Sequence, residues 1–234
     1  MIVNKINYPK IMSRPFKLSL KTELVPLTFI TATVATVLCF YNNLPEKVAS
    51  HWNFAGQVDG WSSNTFQGLF FPLLIIVLYA LLLVLPLVDP HKENYQKFIT
   101  TYHIFKGLII TTLFVIYLAT TLFNLGYQIN VGVIVATTIG VLMMIMGFYL
   151  RDIKENWFIG IRTPWTLSSP HVWTKTNKFG SWLFMLFGLI LIIIPHLPAV
   201  LGITLFIIGI ISVIFGSFLY SYLIFIKEKK PKKK

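Results

Sequence analysis

The side chains that could do chemistry are gathered in two hydrophilic stretches. The first covers residues 42–67 and contains Leu44-Pro45-Glu46-Lys47-Val48-Ala49-Ser50-His51-Trp52-Asn53, then Gly56-Gln57-Val58-Asp59-Gly60-Trp61. An imidazole titrates near neutrality and moves protons, and a carboxylate can orient it or share a cation with it, so His51 and Asp59 are candidate partners. His196 is expected on the same side of the molecule, and two histidines with an aspartate make a ligand set for zinc or copper that needs no thiolate. Spacing alone fixes no geometry, so a hydrogen-bonded structural role for these residues stands beside metal binding or catalysis. Trp52 and Trp61 complete the candidate ligand-binding group, and Gly56 and Asp59-Gly60 are expected turn formers that order the stretch.

The second stretch, residues 151–178, contains Asn156-Trp157-Phe158-Ile159-Gly160-Ile161-Arg162-Thr163-Pro164-Trp165-Thr166 and later Val172-Trp173-Thr174-Lys175-Thr176-Asn177. Basic, aromatic and apolar residues mixed in this way suit a segment lying on lipid headgroups, with Ser168, Ser169 and Pro170 marking a turn or a helix start. The Arg162 guanidinium can grip a lipid phosphate or a partner's carboxylate through two parallel hydrogen bonds. Membrane anchoring and a specific protein-binding surface are both open. For the second, Asn156, Trp157, Arg162, Thr163, Trp165 and Trp173 are the candidate contacts. Cys39 is the only cysteine, which rules out an intramolecular disulfide or a thiolate metal cluster within this sequence. There is no nucleophile motif and no Gly-rich phosphate loop, so no catalytic residue and no cofactor is assigned.

The elements that position these stretches are membrane-spanning helices. Of 234 residues, 56% are hydrophobic and only 12% charged, outside the usual range of soluble domains. The apolar residues fall into six stretches, 24–41, 68–88, 107–125, 131–150, 179–194 and 198–226, none of which contains Asp, Glu, Lys or Arg. At about 1.5 Å per residue, stretches of this size cross a hydrocarbon core of about 30 Å. The expected fold class is therefore all-α: a bundle of about six transmembrane helices. The first stretch, diluted by Pro26 and several threonines, reads as an uncleaved anchor. Pro195, His196, Leu197 and Pro198 form a breaker cluster, read as a tight hairpin in preference to a kink in one long helix. Gly132, Ala136 and Gly140 recur every four residues and suggest a face for close helix packing.

Orientation is expected from charge. Lysines and arginines crowd the arm of residues 1–23, the second and fourth connections, and the tail of residues 227–234, placing 19 of 20 on one side and leaving Lys47 opposite. The basic side is predicted to be cytoplasmic, with both termini there, residues 42–67 forming an outer loop and residues 151–178 an inner one. The net charge of +12 is thus a topology signal, and without a folded polar domain it does not indicate direct nucleic-acid binding. The lysine tail is expected near anionic headgroups or simply solvated. All six tryptophans fall in the two long loops or at a span boundary, as interfacial anchors do.

The two hydrophilic stretches also resemble the SdpI-type bacterial immunity proteins. Leu44-Pro45 through His51, Gly56 and Asp59-Gly60 looks like that family's N-terminal domain of unknown function. Asn156-Trp157 with Gly160-Ile161-Arg162-Thr163-Pro164-Trp165-Thr166 and Val172-Trp173 looks like the signature of its C-terminal half, and Asp89-Pro90 with Asn94-Tyr95 is similar to its pattern. The resemblance covers roughly residues 20–226, while the basic arm and the lysine tail have no match in the core pattern. It implies a multi-pass protein of the bacterial cell membrane with two tasks: protection against a secreted membrane-active peptide toxin, and retention of a cytosolic repressor at the membrane when toxin is present. On that reading His51, Trp52, Asp59 and Trp61 meet the toxin and the inner-loop residues meet the repressor. The resemblance implies no catalytic residue set.

Two other classes stay in view. Ion-coupled carriers place ionisable residues within their spans, whereas all eight acidic residues here are expected in loops or at span ends, which leaves passive or lipid transport. A membrane enzyme or metal protein at the outer face would need His51, Asp59 and His196 within reach of one another.

Overall fold

Ser19 starts the first helix with a reciprocal cap. Its side chain accepts from the Thr22 amide at 3.3 Å, while Thr22 Oγ1 accepts from the Ser19 amide at 3.2 Å, satisfying donors that a helix start otherwise leaves open. Helix α1 (Leu20–Phe40) follows. The structure, a computed structural model, describes residues 15–229; Lys5, Lys10 and Arg14 of the arm and residues 230–234 of the lysine tail lie outside the described residues. Strands β1 (Lys47–Trp52) and β2 (Val58–Ser63) form an antiparallel hairpin. A π turn over Phe66–Phe70 leads into α2 (Phe71–Val88), and a 3-10 turn over Lys92–Lys97 into α3 (Ile99–Asn124). Asn130 caps α4 (Val131–Leu150) by accepting from the Val133 amide at 3.1 Å.

Ser169 caps α5 (Pro170–Ile193) and Pro170 occupies its first position, where a missing amide hydrogen costs nothing. A 3-10 turn over Ile194–His196 then reverses the chain, as the proline cluster predicts, into α6 (Ala199–Ile211). That helix continues through a π turn over Ser212–Gly216 into α7 (Ser217–Lys229). Among the described residues, six helical stretches are long and apolar enough to cross a membrane: Leu20–Asn43, Phe66–Val88, Ile99–Asn124, Val131–Leu150, Pro170–His196 and Ala199–Lys229. The expected six-span helical bundle is what the structure shows. Its two ends differ: one carries the β-hairpin, the other the long connection between α4 and α5, called here the hairpin end and the loop end.

Leu73, Val77, Leu81 and Val84 along α2, and Ile207, Ile211, Phe215 and Leu219 along α6 and α7, all point outward. Such a surface would drive aggregation in water, but it is the surface that lipid requires, because helices satisfy their own backbone groups. Inside, Tyr95, Phe98, Tyr102, Phe105, Leu150, Ile153 and Trp173 form a core at the loop end, and Ile75, Ile110 and Tyr117 one among the first three helices. Helices α4 and α5 meet glycine to glycine: a Cβ on Gly140 would lie 2.6 Å from the Gly188 carbonyl oxygen, and one on Gly147 would lie 2.8 Å from the Met185 amide nitrogen.

Several expectations are corrected here. The small-residue face of α4 is Gly140 and Gly147, whereas Gly132 faces the hairpin turn at Gly56. The loop of residues 151–178 is shorter than expected, because the Ser169 cap starts α5 at Pro170. That places Trp173 inside the core, 1% exposed, where it is no interfacial anchor. The turn of the hairpin is made by Asn53, whose Oδ1 accepts from the Ala55 and Gln57 amides, and by Gly56 at φ 76°; Asp59 and Gly60 lie within β2. Finally, among the described residues two charged side chains are buried within helices: Glu23 in the first turn of α1 and Lys106 two turns into α3.

Candidate functional sites at the two ends of the bundle

On the hairpin, Gly60 is the cross-strand neighbour of His51, and a Cβ there would approach His51 Cβ to 2.8 Å. The glycine makes room for the imidazole, whose Nδ1 lies 2.5 Å from Asp59 Oδ1. The two side chains are 71% and 44% exposed, so the pair contributes only about 0–1 kcal/mol to stability and is available to a ligand. Trp61 is also exposed and, with Glu46, Lys47, Ser62 and Ser63, lines an open depression of about 740 Å³. Trp52, expected beside Trp61 in the ligand-binding group, lies against the bundle. Its ring packs edge-on against Phe123 of α3 at 5.4 Å and holds the hairpin to the bundle. His196 sits in the turn after α5, and among the described residues no three His, Cys, Asp or Glu side chains come together to hold a metal ion. The structure thus joins His51 with Asp59 and does not add His196 to them as a metal site.

Hydrogen bonds from one side chain of α3 also tie the hairpin down. Asn124, the last residue of α3, accepts from the Ala49 amide at 2.7 Å and donates to the Ala49 carbonyl at 3.1 Å. Beside it Gln67, 3% exposed, donates to Thr120 and Thr121 hydroxyls at 2.7 and 3.0 Å, locking the entry of α2 to α3.

At the loop end the named residues divide into a frame and a face. Asn156 is fully buried: its amide donates to the Lys154 and Ile159 carbonyls and its Oδ1 accepts from the Phe158 and Ile159 amides. Thr163 and Trp173 are buried as well, Thr163 bonded to Ser221 of α7 at 3.0 Å and Trp173 donating to the Ile153 carbonyl at 2.9 Å. These three, expected as partner contacts, are buried and hydrogen-bonded within the loop that they shape. The face consists of Trp157, 53% exposed, and Arg162, whose guanidinium donates to the Trp157 carbonyl. Trp165 is half-buried against Phe218 and Tyr222. Asn156→Ala would leave buried donors and acceptors unpaired at about 1–3 kcal/mol each. It is expected to speed amide hydrogen exchange at residues 157–161 while leaving exchange in the hairpin unchanged.

Sequence reading did not foresee two polar clusters. Asp89, 2% exposed, accepts from the His91 amide at 2.7 Å, the Tyr95 hydroxyl at 3.0 Å and the Trp157 amide at 2.9 Å, while Asn94 donates to the Glu155 carbonyl at 2.8 Å. The connection after α2 and the long loop after α4 are therefore one joint. Burial first, and then the neighbouring Asp89 carboxylate, push the Tyr95 hydroxyl above its ordinary range, so it stays a donor. The second cluster lies among the helices. Lys106 Nζ is 2.6 Å from both oxygens of Glu23, and Glu23 also accepts from Tyr79 of α2 at 2.8 Å and from Thr22 at 3.0 Å. The Lys106 side chain is 0% exposed and that of Glu23 8%.

Six apolar spans with a lipid-facing exterior define a multi-pass membrane protein. The chain matches the profile of the SdpI/YfhL protein family over residues 152–222 and that of a domain of unknown function, DUF1648, over residues 27–76. It is 23% identical over 203 residues to Immunity protein SdpI of Bacillus subtilis (strain 168), an alignment covering 87% of this chain and 95% of that protein. No solved structure matches it. The similarity to that immunity protein and the six spans together place the chain in the bacterial cell membrane.

Proposed function

We propose that this protein is an immunity protein that protects its cell from a membrane-active peptide toxin met at the hairpin. The observation that carries the reading is the similarity to an immunity protein over 87% of the chain. The exposed His51–Asp59 pair beside Trp61 supports it, since together they present a charged and an aromatic contact to a peptide. The charge asymmetry of the connections supports an orientation with both termini and the long loop in the cytoplasm and the hairpin outside. On this reading Trp157 and Arg162 meet a cytosolic repressor. Toxin controls that meeting only by binding one bundle conformation more tightly than another.

The test is survival of toxin-sensitive bacteria producing the protein, challenged with secreted membrane-active peptides. Wild type is expected to protect. His51→Ala at equal membrane level is expected to lower the tolerated toxin concentration about tenfold, the factor that roughly 1.4 kcal/mol of lost contact carries. Arg162→Ala is expected to keep protection and lose toxin-dependent recruitment of the repressor. No protection by wild type against any such peptide would refute the reading.

A further inference from the structure

Ionisable side chains inside membrane helices are costly, and they persist where they carry function. The Glu23–Lys106 pair is accompanied by a third titratable group. His103 lies one turn before Lys106 on α3, and its Nδ1 is buried, has no hydrogen-bond partner and is 4.0 Å from Glu23 Oε1. That separation is too long for a hydrogen bond from a neutral imidazole and within reach of an imidazolium. The groups facing His103 are Glu23 from α1, Lys106 and the Tyr102 ring from α3, and the edge-on ring of Phe16 at 5.2 Å; Tyr79 of α2 reaches the site through Glu23. The carboxylate is thus already shared by an ammonium and a phenol, with an unsatisfied base beside it.

We propose that Glu23, Lys106, Tyr79 and His103 form a proton-binding site that sets how α1 sits against α2 and α3. The proton comes from the aqueous phase at the loop end. Counting about 1.5 Å per residue, Glu23 lies about 5 Å into α1 and His103 about 6 Å into α3, and the His103 side chain keeps 14% exposure. It binds at Nδ1, leaving the imidazole positively charged. The cluster goes from neutral to a single positive charge, and two cations then compete for one carboxylate. Lys106 shares its hold on Glu23 with His103, and because both cations stand on α3 the clasp between α1 and α3 tightens and shifts toward the start of α3. Helix α1 runs directly through the turn Tyr41–Asn43 to β1, so proton occupancy at one end is transmitted to the hairpin at the other.

The experiment is a pH titration of the full chain in phospholipid nanodiscs. Imidazole signals of the five histidines are followed by NMR, with His103 assigned by its loss in His103→Gln, while a spin label on Cys39, the only cysteine, reports the last turn of α1. His103 is expected to take up a proton as the pH is lowered through the titrated interval, with the label's mobility changing in step and the change lost in His103→Gln. Glu23→Gln gives a second measurement at the same site, read at a temperature where both it and the wild type are folded. It removes the counter-charge and is expected to weaken proton binding at His103 about tenfold, a shift of about one pH unit. A His103 signal constant across the interval, a label response preserved in His103→Gln, or a midpoint unmoved in Glu23→Gln would each overturn the proposal.

Discussion

Lys106→Met is expected to destabilise the bundle by about 3–5 kcal/mol, because it leaves the Glu23 carboxylate buried with its cation gone. The wild-type ammonium sits 2.6 Å from both carboxylate oxygens and its side chain is wholly buried, so no water can take its place without opening the contact between α1 and α3. Glu23→Gln removes the other partner and is expected to cost about as much. The double variant Glu23→Gln/Lys106→Met should recover most of the loss, since removing both charges is far cheaper than stranding one. Thermal unfolding of the three variants in one detergent measures this. A double variant as unstable as the sum of the singles would show that the two residues act independently.

The second large effect is expected at the crossing of α4 and α5. A Cβ on Gly188 would lie 2.5 Å from the Gly140 carbonyl oxygen and 2.8 Å from the Met144 amide nitrogen. Both obstacles are backbone, so no rotamer change relieves them and the helices must move apart. Gly188→Ala is expected to cost about 1–3 kcal/mol and Gly188→Val more. Gly202→Ala in α6 is the control: its nearest obstacle is the Ile194 Cγ2 methyl at 3.3 Å. There the gain of alanine over glycine in a helix, up to about 1 kcal/mol, should cancel the crowding or exceed it. Equal losses at Gly188 and Gly202 would show that the α4–α5 contact has no special tightness.

The spans and the proline-marked reversal were legible because apolar run length and breaker residues are local signals, and the family resemblance rests on the same two loops that the profiles cover. Rules based on local composition also explain the misses. Counting apolar runs without charge set the start of the first and third stretches at residues 24 and 107, immediately after Glu23 and Lys106. The helices extend past those residues, and opposite charges at two such borders were the available signal for the pair. The same rule began the fifth stretch at residue 179, although Ser169 and Pro170 carry a cap and a first-turn proline. Of the site, the His51–Asp59 pairing was readable in kind but not in geometry, since it depends on the register that sets Gly60 opposite His51. The burial of Asn156, Thr163 and Trp173 was not readable at all. An aromatic and polar loop has the same composition whether its side chains face a partner or one another.

The Asn124 clamp has a consequence for what can attach to the hairpin. A ribbon of two strands has two unpaired edges, each able to take on another extended chain. By bonding both the amide and the carbonyl of Ala49, the Asn124 carboxamide stands in for a third strand one residue long and blocks the edge of β1 at its middle. Among the described residues no element outside the hairpin is hydrogen-bonded to the backbone of β2. The ribbon is therefore one-sided: of its two edges, the one along Val58–Ser63, beside the exposed Trp61, is the one left open to sheet extension.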